Sequence, residues 1–207
     1  MNAIMVKIFE LLAKAGLDKL ERALIFGAVL VTVLALAVGA VEASYAWFAF
    51  LFRWLHVVSG VMWIGLLWYF NFVQIPSMPK IPDEHKPAIS KVIAPTALFW
   101  FRWAALSTVV TGLLVAIMDG YIRNALILGI GTGGHDTYIG IGMWMGLIMA
   151  YNVWMIIWPN QRKVLGMVEA SAEEKKAAAR TAMLASRFNT MFSIPMLYFM
   201  VAAPHLY

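Results

Sequence analysis

Five long runs of apolar residues set the terms for what this chain can become. A helix needs about 20 mostly apolar residues to cross the hydrocarbon of a bilayer. Five stretches reach or approach that length, at about residues 23–41, 48–72, 97–118, 139–158 and 188–203. The last is short and contains Pro195. A membrane helix tolerates this because neighbouring groups can satisfy the freed carbonyl. A soluble core could not bury so much: 62% of the 207 residues are hydrophobic and only 13% are charged, where soluble domains carry about a quarter charged residues. The sequence predicts an all-α integral membrane protein, a helical bundle with five transmembrane helices.

Residues 1–22 stand apart from the membrane domain at 23–207. Over Met1–Leu20, Ile4, Ile8, Leu11, Leu12 and Ala15 share one face, while Lys7, Glu10, Lys14 and Asp18 lie off it. This pattern predicts an amphipathic helix in the membrane interface. Val41-Glu42-Ala43 looks like a signal-peptide cleavage site, but the apolar run before it exceeds the usual 7–15 residues, so we read it as a retained span. Ser171 followed by Glu174 forms a capping-box pattern, which predicts a helix leading into the last span from outside the hydrocarbon.

The basic residues then give the orientation. Of the 16 Lys and Arg, thirteen fall on the amino-terminal side of the spans: Lys7, Lys14, Lys19, Arg22, Lys80, Lys86, Lys91, Arg162, Lys163, Lys175, Lys176, Arg180 and Arg187. Arg53 and Arg123 fall opposite, and Arg102 lies within the third span. The positive-inside rule puts the amino terminus in the cytoplasm and the carboxyl terminus outside. The net charge of +5 is thereby explained by topology, with no nucleic-acid partner. The chain has no Cys, which excludes disulfides, thiolate metal ligands, iron–sulfur clusters and a covalently attached c-type haem.

Of four histidines, His85 falls in a cytoplasmic loop and His56, His135 and His205 fall toward the outer side. His56 lies inside the second span, where an ionisable residue is a functional candidate by default. Arg53, His56, Gly60 and Trp63 are three, four and three apart and so share a helix face. Gly60 would leave room beside the imidazole for a flat ligand such as a porphyrin, and Arg53 could meet a propionate. The same pattern also suits a histidine hydrogen-bonded between helices, with Gly60 serving close packing. The three outward histidines with Asp136 could instead hold copper or zinc. His135 follows the glycine-rich stretch Gly129 to Gly134, which reads as a mobile loop, since no Lys-Ser/Thr follows to make a phosphate cradle. A second polar set, Asn71, Gln74, Arg102, Asn152 and Asn189 with Ser193, could bind a substrate or quinone head group or bond between helices. Gly142 and Gly146 suggest close helix packing and self-association. No Ser/His/Asp triad, Walker loop or paired-carboxylate site is present.

Phe52-Arg53-Trp54-Leu55-His56 through Trp63-Ile64-Gly65 resembles the opening helix of the membrane domain of bacterial membrane-bound urate oxidases. Asn152-Val153-Trp154 and Ile157-Trp158-Pro159-Asn160-Gln161-Arg162-Lys163 are similar to a later helix of that domain, and Ser186 to Met200 to its final one. The likeness runs over about residues 48–205. More distantly, the His56 helix resembles the membrane protoporphyrinogen oxidase family and the copper-resistance membrane proteins. The former association implies haem b with His56 as ligand. The resemblance also implies a bacterial inner membrane protein crossing the bilayer several times. In the urate oxidases a c-type cytochrome domain follows the membrane part; here the sequence given ends at Tyr207. Where the family's third helix has His, Lys and Glu, this chain has Phe99, Arg102 and Ala104, and a family His matches Phe188.

The expected function is a haem-b-type electron-transfer or redox protein, with His56 as axial ligand and His135 or His205 as the second. Its partner would be a cytochrome or a quinone. The alternative is a non-catalytic accessory subunit of a larger membrane complex or homo-oligomer. A third reading is urate oxidation with a separate cytochrome.

Overall fold

A computed structural model describes residues 3–206. Met1, Asn2, Tyr207 and the side chains of Ala3 and Ala15 lie outside the described residues, and with them the ends of the expected amphipathic helix and membrane domain. The described residues form helices and turns with no strand. In chain order they are α1 (Ala3–Leu12), α2 (Leu20–Ala37), α3 (Tyr45–Lys80), α4 (Lys86–Met118), α5 (Ile122–Leu126), α6 (Gly134–Val164) and α7 (Ala172–Leu206).

Two compact units divide the chain, Met1–Phe48 and Ala49–Tyr207. In the first, Ile4, Ile8, Leu11 and Leu12 on α1 are exposed. The helix widens into a π-turn at Ala13–Leu17 and breaks at Gly16, whose φ of 99° suits glycine. Then α2 begins. It is apolar on every side with no residue buried, the composition of a helix surrounded by lipid. It ends at Ala37, before the 41 expected from hydropathy, where the chain turns at Val38 and Gly39.

The second unit is a bundle of α3, α4, α6 and α7 that alternate in direction. One end gathers the start of α3, the end of α4, the start of α6 and the end of α7, as the Arg53–Asp119 ion pair and a shared cavity show. The core lies deeper, where Trp63 and Leu67 of α3 meet Phe101 and Ala105 of α4 and Met149 and Val153 of α6, all nearly inaccessible. Phe70 meets Phe101 edge-on, with ring centroids 5.7 Å apart. Outward faces stay apolar: Phe99, Trp103, Val110, Ile148, Met155 and Ile194 are all exposed.

Four helices, α2, α3, α4 and α6, are long and apolar enough to cross a membrane, so this is a multi-pass membrane protein by length and composition. The expected span at 188–203 is the second half of α7, a 35-residue helix that is not among those four. The capping box is formed: the Ser171 N–H donates to Glu174 Oε2 at 2.8 Å and the Glu174 N–H to Ser171 Oγ at 3.2 Å. The helix then runs unbroken past Pro195 and Pro204.

Three bundle helices contain π-turns, at Tyr69–Gln74 in α3, Ile89–Ile93 in α4 and Asn152–Ile157 in α6. All three lie at the end of the bundle opposite Arg53. Hydropathy alone does not mark them.

Candidate functional site

At the Arg53 end, a cavity of about 1200 Å³ opens between α3, α4, α6 and α7. Every residue that the sequence singled out around a cofactor lines it: Arg53, His56, Gly60 and Trp63 from α3, His135 from α6 and His205 from α7. Most of the remaining wall is apolar, including Val57, Val61, Leu113, Ile139, Met196 and Val201.

His56 is held by α4. Its Nδ1 lies 2.8 Å from the backbone carbonyl of Thr108. A carbonyl can only accept, so Nδ1 carries the proton and Nε2 keeps its lone pair. A methyl group on Gly112 would sit 2.7 Å from Cε1 and 2.8 Å from Nδ1 of the ring, so the imidazole occupies the space of that missing side chain. Gly60, on the histidine's own helix, does not serve close packing in this way. A Cβ there would be 3.9 Å from the nearest neighbouring atom, Thr108 Cγ2, an ordinary contact distance.

His205 repeats the arrangement on α7, with its Nδ1 2.8 Å from the Val201 carbonyl and Nε2 again left with its lone pair. His135 differs. Its Nδ1 is 3.4 Å from Asp136 Oδ1, too long to fix a tautomer firmly, and its ring meets Tyr121 edge-on at 5.2 Å. Asp136 is held from its other oxygen by Asn124 at 2.9 Å. Burial pushes the Tyr121 phenol above its usual range and the nearby Asp119 adds to the effect, so it stays neutral at physiological pH. The glycine stretch before His135 folds on itself, with the Thr132 and Gly133 N–H groups donating to the Gly129 carbonyl. Arg53 is paired with Asp119. Among the described residues no three His, Asp or Glu side chains come together as a group able to hold a metal ion.

The second polar set does not form one cluster. Asn71 Nδ2 donates to Ser186 Oγ at 2.7 Å and to the Leu67 carbonyl at 2.9 Å. Asn152 Nδ2 donates to Asn189 Oδ1, and Asn189 Nδ2 to the Met149 carbonyl, both at 2.9 Å. Leu67 and Met149 stand in the turns just before two of the π-turns. Widening a helix turn disturbs the carbonyl ladder there, and side-chain amides can satisfy it. Ser193 accepts from Trp68 Nε1 at 3.0 Å. Gln74 lies apart, on a smaller cavity of about 270 Å³. Arg102 touches none of these groups and stacks instead on Trp158. Gly142 packs within the chain, where a Cβ would meet Met200 at 3.2 Å, whereas Gly146 opens onto the large cavity.

Sequence reasoning missed Thr108, Gly112 and Tyr121. The first two stand four apart on α4, but nothing in the sequence says which α4 face meets His56.

Residues 130–206 match the model of the urate oxidase N-terminal family. The matched segment covers α6 and α7, with His135, His205, Asn152 and Asn189, and leaves out His56. No curated protein and no solved structure matches the chain.

Proposed function

We propose that this chain, whose residues 130–206 match the urate oxidase N-terminal family, is a membrane haem b protein that passes single electrons. We place it in the bacterial inner membrane with five spans, the fifth being residues 188–203, the amino terminus in the cytoplasm and the carboxyl terminus outside. The distribution of Lys and Arg supports that orientation.

One observation carries the haem reading. His56 gives its Nδ1 proton to the Thr108 carbonyl and faces a large, mostly apolar cavity with its Nε2 lone pair unshared. A backbone acceptor on the far nitrogen is how ligating imidazoles are commonly oriented. The cavity's size is ample, since cofactor and ligand sites run to about 300–1,000 Å³. His205 is the better second ligand because its Nδ1 is fixed in the same way; His135 is the alternative. Gly60 leaves the α3 wall open for a flat ring, and Trp63 lines the same wall deeper in. Arg53 has five N–H donors and could serve a propionate while keeping Asp119. Bound there, haem would supply reversible one-electron chemistry. A cytochrome or quinone would be the partner.

The visible spectrum of the purified protein, oxidised and dithionite-reduced, tests this. A Soret band is expected, and His56→Ala should abolish or shift it. A wild-type protein with no Soret band sinks the haem reading, and an unchanged spectrum in the variant clears His56 of ligation.

A second reading is an accessory subunit of a larger membrane complex. It is supported by Asn152 and Asn189 spending their side chains on each other and on the backbone, and by Phe99, Ala104 and Phe188 at family polar positions. Mild-detergent extraction should then bring down a stable partner. Urate oxidation with a separate cytochrome is the weakest, because those absent groups are the ones that family chemistry would use.

A further inference from the structure

Among the described residues the cation inside the third span, Arg102, has no paired carboxylate. Arg102 Nε donates to the Leu98 carbonyl, one turn back along its own helix, at 3.2 Å. The side chain therefore leans toward the start of α4, as helical side chains do. Its guanidinium carbon lies 3.2 Å from the Trp158 ring centroid and 5.7 Å from that of Trp154. Among the described residues no carboxylate pairs with it and no acceptor meets its Nη1 and Nη2 atoms. Around it Phe99, Trp100 and Trp103 are exposed, forming a wall that lipid would cover.

A half-buried cation among aromatic rings is costly unless something negative completes it. Trp158 also marks the level. It ends the apolar part of α6, is followed by Pro159-Asn160-Gln161-Arg162-Lys163, and belongs to a residue type that gathers at the bilayer interface. Arg162 is one turn beyond on the same helix face. The guanidinium is thus carried from inside the span to headgroup depth, with one edge used and the other open.

We propose that Arg102, stacked on Trp158 and backed by Arg162, binds the phosphodiester of an anionic phospholipid at the end of the bundle where α4 begins. The open Nη edge suits two oxygens of one phosphate, a geometry that arginine provides and lysine does not. Basic sites between spans are recognised by anionic headgroups in the same way. The site is separate from the histidine cavity, and a spectrum without haem would leave it untouched.

The test uses the full chain in detergent, titrated with phosphatidylglycerol, phosphatidylcholine or inorganic phosphate, with bound species counted by native mass spectrometry. Phosphatidylglycerol should bind about tenfold more tightly than phosphatidylcholine, because the choline ammonium offsets the charge of the shared phosphodiester beside Arg102 and Arg162. Arg102→Gln should remove that preference and Arg102→Lys should keep only part of it. Inorganic phosphate should not displace the lipid. Full preference in Arg102→Gln overturns the proposal, and displacement by inorganic phosphate reassigns the site to a free anion. If Arg102→Gln does not yield folded protein, Trp158→Leu removes the stack and leaves every charge. It should weaken phosphatidylglycerol binding several-fold, and unaltered binding there overturns the proposal equally.

Discussion

His56 takes its direction from a helix other than its own. Thr108 offers the carbonyl that fixes its tautomer, and Gly112, one turn further along α4, offers the space for its ring. Gly112→Ala places a methyl group where the imidazole lies. The ring or the helix must move, at about 1–3 kcal/mol for overpacking a filled site, and the Soret band should weaken or shift with it. Gly27→Ala on α2, outside the cavity, is the control, because nothing lies within 4 Å of its new methyl. Thermal melts and spectra of the two variants should separate clearly; equal effects would show that Gly112 is not what seats His56. The α3 half of this site was legible because three- and four-residue spacings place Arg53, His56, Gly60 and Trp63 on one face. The α4 half was not, because facing residues depend on how two helices dock, and an all-round apolar helix carries no marker of its inner side.

Single helices show where hydropathy reading works and where it stops. The capping box at α7 was readable as Ser171 and Glu174, since both groups act within one turn. The Ser171 backbone N–H holds the Glu174 carboxyl below its usual range. Its contribution is therefore complete above the ordinary Glu value of about 4.3 and is lost as pH falls through the lowered folded-state value. Amide protection at Glu174 and Lys175, measured against the intrinsic exchange rate, should fall on acidification below that value, and Glu174→Gln should remove that pH dependence. The π-turns were not legible. They arise from packing, and their cost surfaces as buried amides that a sequence reader takes for a binding cluster. Asn189→Leu would strand the Asn152 side-chain amide and leave the Met149 carbonyl with the Asn152 backbone N–H alone. It should cost about 1–2 kcal/mol, the upper range for polar contacts in membrane proteins. Adding Asn152→Leu should cost less in that background than alone, and strictly additive costs in detergent unfolding would argue against the pair.

For the molecule as a whole, the number of apolar runs and the placement of charge carried most of what was readable. The helical, membrane-crossing character follows from the runs themselves. Orientation rests on charge asymmetry, and a chain without Cys is ready-made for testing it. Glu84→Cys, between α3 and α4, should react with an impermeant maleimide only after cells are opened. Arg123→Cys, between α4 and α6, should react in intact cells. The opposite pattern would invert the topology. What the sequence could not convey at this scale is that one cavity collects His56, His135 and His205, from helices far apart in the chain.

The widened turns have a consequence for how this chain can vary. Each adds one residue to a helix without adding a face, so the angular phase of every position beyond it slips by about 100°. The stripe that runs through His56, Gly60 and Trp63 does not continue on the same beat past Tyr69–Gln74, and the same break falls at Asn152–Ile157 in α6. On α3 and α6 the part lining the histidine cavity can change without obliging the part beyond the turn to change step, whereas α4 and α7 keep one beat from Arg102 to Gly112 and from Asn189 to His205.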